Sequence, residues 1–578
     1  MKIHIQDRSY QSFVLDDNTT NIEIDPKKEK LFDQDSFFLN ENKECIVVNS
    51  PIRNMKNLCG ILILNGNKTY GKTINKKKFY YRCIPNNKHL PIFLIPYAIN
   101  IGFDKSYQNK FILFQFHEWK KEHPFGMITE MIGDVNKEEF YYEYQLYCKS
   151  IHHSMKSFIK KMYEKSKELN SIETIKRKST CLHENQETTN EYIFSIDPIK
   201  CLDYDDALSI TQGKENNDVC ITIYITNVCL LMESFELWNS FSDNVSTIYL
   251  PNQNRVMLPS ILSEKFGSLK KKEERFVFAF TFYFNEKGQE KSEKNTIENK
   301  IIRVNENFIY EEEKLQQNRS YQNLFEFTNN KVKIKDSHEL VAYWMIYTNK
   351  YVANYMKLRQ RGIFRTSQFR KTETETETET ETETETETET ETKINQLQLW
   401  RNSSCQYVLF QKDDETTEYL HITSPLRRLV DLLNQLILTK ELFPSFLSLD
   451  ACFFLNEWTK KIDFINRSMK SIRKVQKDCW MMNSFFHHPD IIKNKNSVLV
   501  YDGIVLEKKK KDDKNDVNVK KEIENSYTIY LETMNFISKI KVYKNLEIGS
   551  KHKFQVFLFE REHEGGKKIQ LSLYQSIV

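Results

Sequence analysis

Four aspartates lie within ten residues of this chain, at positions 197, 203, 205 and 206, and they form its most chemically suggestive segment. Carboxylates held this close repel one another, and an ordinary protein core offers nothing that offsets the repulsion. Hard divalent cations such as Mg²⁺ prefer anionic oxygen ligands, and carboxylate-bound metal ions hold phosphodiesters and activate water. The segment therefore indicates a metal site for phosphoryl chemistry. Two other interpretations stay open, an acidic surface turn and a calcium loop, although an EF-type loop needs a glycine and a distant glutamate that are missing here.

A second group of residues lies more than two hundred positions downstream, from Thr423 to Asp431. Thr423 or Ser424 can cap a helix whose first turn would contain Arg427 and Arg428. Such a helix start is a natural phosphate site, because the helix dipole, the free amides and the guanidinium groups all favour an anion. The alternative is a capped helix whose arginines pair with neighbouring acids.

Together the two groups resemble the ribonuclease II/R superfamily, whose catalytic unit is called RNB, and the similarity is to ribonuclease R-like and eukaryotic exosome-type members. The segments that carry the resemblance are Asp197-Pro198, Asp203-Tyr-Asp-Asp-Ala-Leu-Ser209, Thr247-Ile-Tyr-Leu-Pro251, Val256-Met-Leu-Pro259, Gly362-Ile-Phe-Arg365, Thr423-Ser-Pro-Leu-Arg-Arg428 and Ile465-Asn-Arg467. Two distant motifs in the family's order make a chance match improbable.

The resemblance implies a processive 3′→5′ exoribonuclease that hydrolyses single-stranded RNA to nucleoside 5′-monophosphates. The metal ligands implied by the family are aspartates that hold one or two Mg²⁺ ions, with Mn²⁺ as a substitute: Asp197, Asp203, Asp205 and Asp206. The implied catalytic residues are Asp205, Asp206 and Arg427, the last of which would clamp the scissile phosphate. The implied RNA-binding residues are Tyr249, which would stack on a base, and Trp119, Arg365, Arg427 and Arg428.

Several positions depart from the family pattern. A His-Ile-Ala-Asp-Val strand appears here as Tyr224–Val228, a Cys-Ser-Leu segment begins with Gly267, and Ser367 stands where Arg-x-His is expected. A Thr-Glu alternation from Thr372 to Thr392 replaces part of the segment that would line an RNA channel, and we expect it to be a solvated loop. A second hypothesis is therefore a catalytically weakened RNA-binding protein that keeps the fold.

The elements that must position these residues form an α+β multidomain chain. We expect an unassigned extension at 1–50, cold-shock-like OB barrels at 51–97 and 98–150, a helical connector at 151–190, a mixed α/β RNB catalytic domain at 191–495 and an S1-type OB domain at 496–578. Short alternating strands with turn residues between them support the barrels. Long helical stretches, including one predicted from Phe453 to Met482, support the catalytic unit.

Composition sets the remaining limits. The 84 basic residues are nearly matched by 80 acidic ones, so local clusters rather than net charge must bind a polyanion. The 11 cysteines contain no Cys-x-x-Cys pair, which disfavours a structural zinc site or a disulfide framework. Without a signal sequence or a long apolar run, we expect a soluble, cytoplasmic monomer with no membrane partner. The first barrel begins too early to leave room for a PIN domain, so exosome association through one is not expected.

Overall fold

The structure, a computed structural model, describes most of the chain. The described residues are 1–16, 24–42, 44–74, 77–99, 107–169, 171–178, 191–212, 218–369, 403–410, 418–487, 499–509, 525–531, 536–560 and 567–574. The Thr-Glu repeat at 372–392 lies outside them, so the prediction made for it remains a prediction. None of the described helices combines the length and apolarity needed to cross a bilayer.

Two small strand pairs come before residue 50: β1 (Ile3–Ile5) pairs with β2 (Phe13–Leu15), and β3 (Ser36–Leu39) pairs with β4 (Cys45–Asn49). Their apolar side chains share one core with the following barrel, and the Phe32 ring stacks on Phe93 at a centroid distance of 5.9 Å. The predicted extension is therefore structurally part of the barrel unit.

Five strands then close into a single barrel in the order β5-β6-β7-β9-β8. They are β5 (Leu58–Leu62), β6 (Phe79–Pro85), β7 (Phe93–Tyr97), β8 (Lys110–Glu118) and β9 (Phe125–Asp134). The predicted division into two barrels at 51–97 and 98–150 is wrong, because the first segment supplies three strands and the second supplies two, and neither set is enough to close. The rings of Phe93 and Phe114, from the two segments, meet inside at 5.0 Å.

Helices connect this barrel to the central unit of the chain. They are Glu138–Cys148, Lys156–Glu168 and Ile172–Lys178, while a short helix, Pro51–Asn54, precedes the barrel. The helix Lys156–Glu168 buries Phe158 and Met162 on one face and exposes lysines on the other, the pattern of an amphipathic surface helix.

The central unit is built on a six-stranded sheet with the order β16-β15-β12-β11-β10-β17, in which only β10 and β17 pair in parallel. The strands of this sheet are β10 (Phe194–Asp197), β11 (Asp206–Gln212), β12 (Val219–Thr226), β15 (Glu274–Phe284), β16 (Thr296–Arg303) and β17 (Glu306–Ile309). A separate hairpin, β13 (Ile248–Tyr249) and β14 (Asn254–Arg255), lies between β12 and β15 in the chain. The central strands β12 and β15 are buried on both faces, as strands covered on both sides are.

The remaining helices of this unit pack around the sheet together with the pair β18 (Ile363–Phe369) and β19 (Ser403–Leu409). They are Val228–Ser234, Glu313–Gln316, Arg319–Lys331, Ser337–Leu358, Leu429–Leu442, Leu449–Lys460 and Ile462–Phe486. The helix predicted from Phe453 to Met482 is thus two helices with a break at Lys461. The helix predicted to begin near Thr423 begins at Leu429, so Arg427 and Arg428 lie in the turn before it.

A five-stranded antiparallel sheet ends the chain, with the order β22-β21-β20-β23-β24. Its strands are β20 (Leu499–Lys509), β21 (Asn525–Leu531), β22 (Phe536–Val542), β23 (Lys551–Glu560) and β24 (Lys567–Leu573). The edge strands β22 and β24 approach one another, so the sheet curls around a core that contains Tyr527 and Phe554.

Candidate active site

The four aspartates lie on the segment that joins two neighbouring antiparallel strands. Asp197 is the last residue of β10 and Asp206 is the first of β11, so the sheet itself brings the two ends of the segment together. The loop between them is held by Ser268, whose hydroxyl donates to Leu202 O at 2.8 Å and accepts from Tyr204 N at 3.0 Å. Rigid strands and one serine therefore position the carboxylates.

The carboxylates are buried to an unusual degree. Asp205 is only 2% exposed and Asp206 8% exposed. Burial raises the pKa of Asp205 to about 7, although the guanidinium of Arg427 opposes the shift. Burial also raises the pKa of Asp197, Asp203 and Asp206, and the Asp197 carboxylate raises that of Asp206 further. Like charges held in a poorly solvated site are stabilised by a cation.

Arg427 reaches this cluster from a turn that is tied to the aspartate loop. The backbone N–H of Leu426 donates to Asp205 Oδ1 at 2.9 Å, and Arg427 Nε lies 3.1 Å from Asp205 Oδ2, an ion pair without hydrogen-bond alignment. The turn is also pinned from its other side, because Ser246 Oγ and Thr247 N both donate to the carbonyl of Arg427. The aspartate cluster and the segment from Thr423 to Asp431, which are far apart in the sequence, therefore meet in the structure.

The meeting point is one wall of a cavity of about 1130 Å³. The side chains that line it include predicted site residues, namely Asp197, Asp203, Asp205, Asp206, Tyr249, Arg427 and Arg428. Burial raises the pKa of the Tyr249 hydroxyl, and the nearby Arg427 guanidinium opposes this shift. Apolar residues of the helices Ser337–Leu358 and Ile462–Phe486 form the opposite side. The cavity therefore combines an anionic floor, a cation and an aromatic ring with walls that carry both apolar and hydrogen-bonding side chains.

Three predicted RNA-binding residues make close contacts within the protein. Trp119 is 7% exposed and packs against Phe32 in the barrel core, which leaves little of its ring surface for the predicted contact to RNA. Arg365 is not among the residues that line the cavity, and its Nη1 lies 3.4 Å from Nε2 of the buried His421. Arg428 lines the cavity, but its guanidinium is paired with the fully buried carboxylate of Asp431.

The fit of the site to Mg²⁺ can be judged from its oxygen atoms. Asp197 Oδ2 is buried and has no hydrogen-bond partner within the described part of the chain, as expected of an atom that faces a cation. No three acidic, imidazole or thiol groups of the described residues converge on one point. Mg²⁺ is nevertheless commonly held by one or two carboxylates, with water and substrate phosphate completing six ligands. The donor set therefore suits one or two such ions bound together with substrate.

Sequence reasoning missed three cavity-lining side chains. Tyr310 follows β17 and stacks on His338 at a centroid distance of 3.7 Å. Arg473 and Trp480 lie on the helix Ile462–Phe486, on the same face as Gln476. The spacing of residues 473, 476 and 480 follows helical periodicity, so the sequence could have shown that they share one helix face. The sequence could not have shown that this face lines a cavity.

Comparison with known proteins agrees with this geometry. The RNB domain family model matches residues 185–322 and 312–444. Exoribonuclease 2 of Psychromonas ingrahamii is 33% identical over 102 residues, which are 18% of this chain and only 15% of that protein. Mycoplasma genitalium RNase R, solved in complex with ribose methylated single-stranded RNA, is 14% identical with a TM-score of 0.63, over 94% of this chain and 95% of that one. Yeast Ssd1, a pseudonuclease, is 14% identical with a TM-score of 0.56, over 88% and 68%.

The central unit is thus an RNB domain set in an RNase R-like α+β fold with barrel-type sheets. Over residues 185–444 the chain is therefore similar to the ribonuclease II/R (RNB) superfamily.

Proposed function

We propose that this protein is a monomeric, Mg²⁺-dependent 3′→5′ exoribonuclease that degrades single-stranded RNA processively to nucleoside 5′-monophosphates. The observation that carries the proposal is the convergence of Arg427 with the buried Asp205 in one cavity that also contains Asp197, Asp203 and Asp206. A binding protein needs no buried carboxylates facing a phosphate-binding cation, because they repel the RNA backbone. A hydrolase does need them.

The four aspartates would between them hold one or two Mg²⁺ ions, which when bound would polarise the scissile phosphate and supply an activated water. Arg427 binds the non-bridging oxygens of that phosphate and stabilises the charge that builds up on them during attack. Its own position is fixed by the Leu426 contact to Asp205 and by the two donors on its carbonyl. Tyr249 stacks on a base, a contact that tolerates any sequence.

The test uses one RNA with two labels. A single-stranded oligonucleotide labelled at its 5′ end should give a ladder that shortens from the 3′ end, while a 3′ label should be released first as a mononucleotide. Addition of EDTA and the substitution Asp205→Asn should each abolish both signals. Arg303→Met is the matched control, since Arg303 is 65% exposed and pairs with Glu274 outside the cavity. If wild-type protein with Mg²⁺ binds the RNA and leaves both labels in place, the proposal is wrong.

A second candidate function is RNA binding without hydrolysis. Two observations favour it: no three metal-ligating groups converge among the described residues, and the fold is also that of the pseudonuclease Ssd1. The same experiment separates the two functions, because a binding protein would retain the RNA equally well after Asp205→Asn and would release no nucleotide.

A further inference from the structure

One exposed tryptophan lies at the edge of the catalytic cavity. The side chain of Trp480 is 47% exposed although it is among the largest apolar groups of the protein, and it lines the cavity that contains Tyr249 and the aspartates. The opposite face of its helix is buried through Val475 and Cys479, so packing of the helix does not require the indole. Its exposure calls for another explanation.

The indole is held in one orientation by a contact to the hairpin β13–β14. Trp480 Nε1 donates to the carbonyl of Tyr249 at 3.0 Å, which joins two segments 231 residues apart. Because the hydrogen bond holds the indole at its edge, the orientation of the ring is fixed. A ring that is already fixed loses little conformational freedom when it stacks on a ligand.

The residues before Trp480 on the same helix face suit a nucleic-acid backbone. Arg473 and Gln476 also line the cavity, and no carboxylate pairs with the Arg473 guanidinium among the residues that the structure describes. Seven residues of α-helix separate Arg473 from Trp480, a rise of about 10 Å. A cation and an aromatic ring at this separation can contact a phosphate and a base of the same strand.

We propose that Trp480 is a base-stacking residue for the RNA strand at the mouth of the catalytic cavity, upstream of the nucleotide bound by Tyr249. This inference rests on the proposed function for the identity of the ligand. The helix Ile462–Phe486 then supplies a binding surface of its own, with Arg473 on a phosphate and Trp480 on a base, separate from the aspartate and Arg427 chemistry.

The test measures binding without cleavage, in EDTA, by the fluorescence anisotropy of 5′-labelled single-stranded RNA. Trp480→Ala should raise the Kd by about 5- to 150-fold, the range that corresponds to the loss of one base–aromatic stack. Trp480→Phe keeps a ring but loses the N–H, and should bind within about 3-fold of wild type. Phe453→Ala is the matched control, because Phe453 is a 63% exposed aromatic residue of the neighbouring helix that does not line the cavity; its Kd should not change.

An RNA series with one abasic position per molecule identifies the stack. Wild type should lose affinity when one particular base upstream of the 3′ end is removed, and Trp480→Ala should not respond to that removal. The inference is overturned if Trp480→Ala binds as tightly as wild type, if Trp480→Phe is as weak as Trp480→Ala, or if both proteins respond equally to every abasic position. Because no cleavage is needed, a wild type that binds through Trp480 but releases no nucleotide would refute the hydrolase and leave this inference standing.

Discussion

Replacing Arg427 with methionine tests the central electrostatic argument of the site. Methionine retains much of the side-chain length and removes the charge that lies 3.1 Å from Asp205 Oδ2. If Arg427 stabilises the charge that develops on the scissile phosphate, its loss should lower kcat by about 10²- to 10³-fold, as the removal of one preorganised donor does elsewhere. KM should change less, because most of the strand is bound by other residues.

The effect on stability should be small by comparison. Two charges 3.1 Å apart interact by about 1 kcal/mol in a water-like medium and by about 5 kcal/mol at an effective dielectric constant of 20. The Arg427 side chain is 45% exposed, so solvent screens the pair and we expect a loss near the lower figure, about 1 kcal/mol. A domain of this size should then lose about 2–4 °C in Tm.

The assay is single-turnover degradation of 5′-labelled RNA, with Arg303→Met as the control and a thermal scan of each protein. Arg303→Met should match wild type in both measurements. Activity of Arg427→Met above about one tenth of wild type, with an unchanged Tm, would refute the role assigned to Arg427. A fall in Tm of more than about 10 °C would instead show that the ion pair is chiefly structural.

Three further predictions follow from individual contacts. Asp205→Asn should leave the unfolding free energy in metal-free buffer unchanged or higher, because it removes a buried charge and keeps an acceptor for Leu426 N; a loss above about 2 kcal/mol in urea denaturation would contradict this. Burial and nearby arginines hold the pKa of His421 at about 2, against 6.5 for an exposed imidazole, so stability is complete above pH 6.5 and falls below it as the unfolded chain binds the proton first. At pH 5 this costs about 2 kcal/mol, and His421→Asn should lose that much less than wild type between pH 7 and 5 in denaturant titrations. Gly267→Ala should lower kcat at nearly unchanged RNA affinity and cost about 1–3 kcal/mol, because the new Cβ would lie 2.7 Å from Leu426 Cδ2 and displace the turn that carries Arg427.

The sequence was sufficient to select the two segments that meet at the site, the aspartates and the turn of Arg427, because acidic clusters and Ser-Pro-Leu-Arg-Arg segments have few other uses together. The sequence was not sufficient to predict which strands pair with one another. Alternation predicted β5, β6, β8 and β9 one by one, but closure depends on pairing between distant strands, as between Leu94 and Phe125, and no local pattern records it. The same limit explains why the burial of Trp119 could not be predicted, because an aromatic residue that follows a strand is equally compatible with a surface position and a core position.

The departures from the family pattern are partly explained by packing. Asn227, which replaces an aspartate, caps the helix Val228–Ser234 through its side-chain oxygen and bonds Asn299 through its amide. Tyr224, which replaces a histidine, is buried and donates to Glu191. The hydrogen-bonding groups of Asn227 and Tyr224 both have partners nearby, so neither replacement requires the aspartates to move.

The contact between Leu426 and Asp205 spans 221 residues of chain, and this separation has a consequence for synthesis. Synthesis must add about 220 residues after Asp205 before Arg427 exists, so a growing chain carries the aspartates for a long interval without the arginine that lies beside them. During that interval the acidic loop repels phosphate instead of binding it. If the site hydrolyses RNA as proposed, it would stay inert towards the messenger that is being translated until the later segment folds against the earlier one.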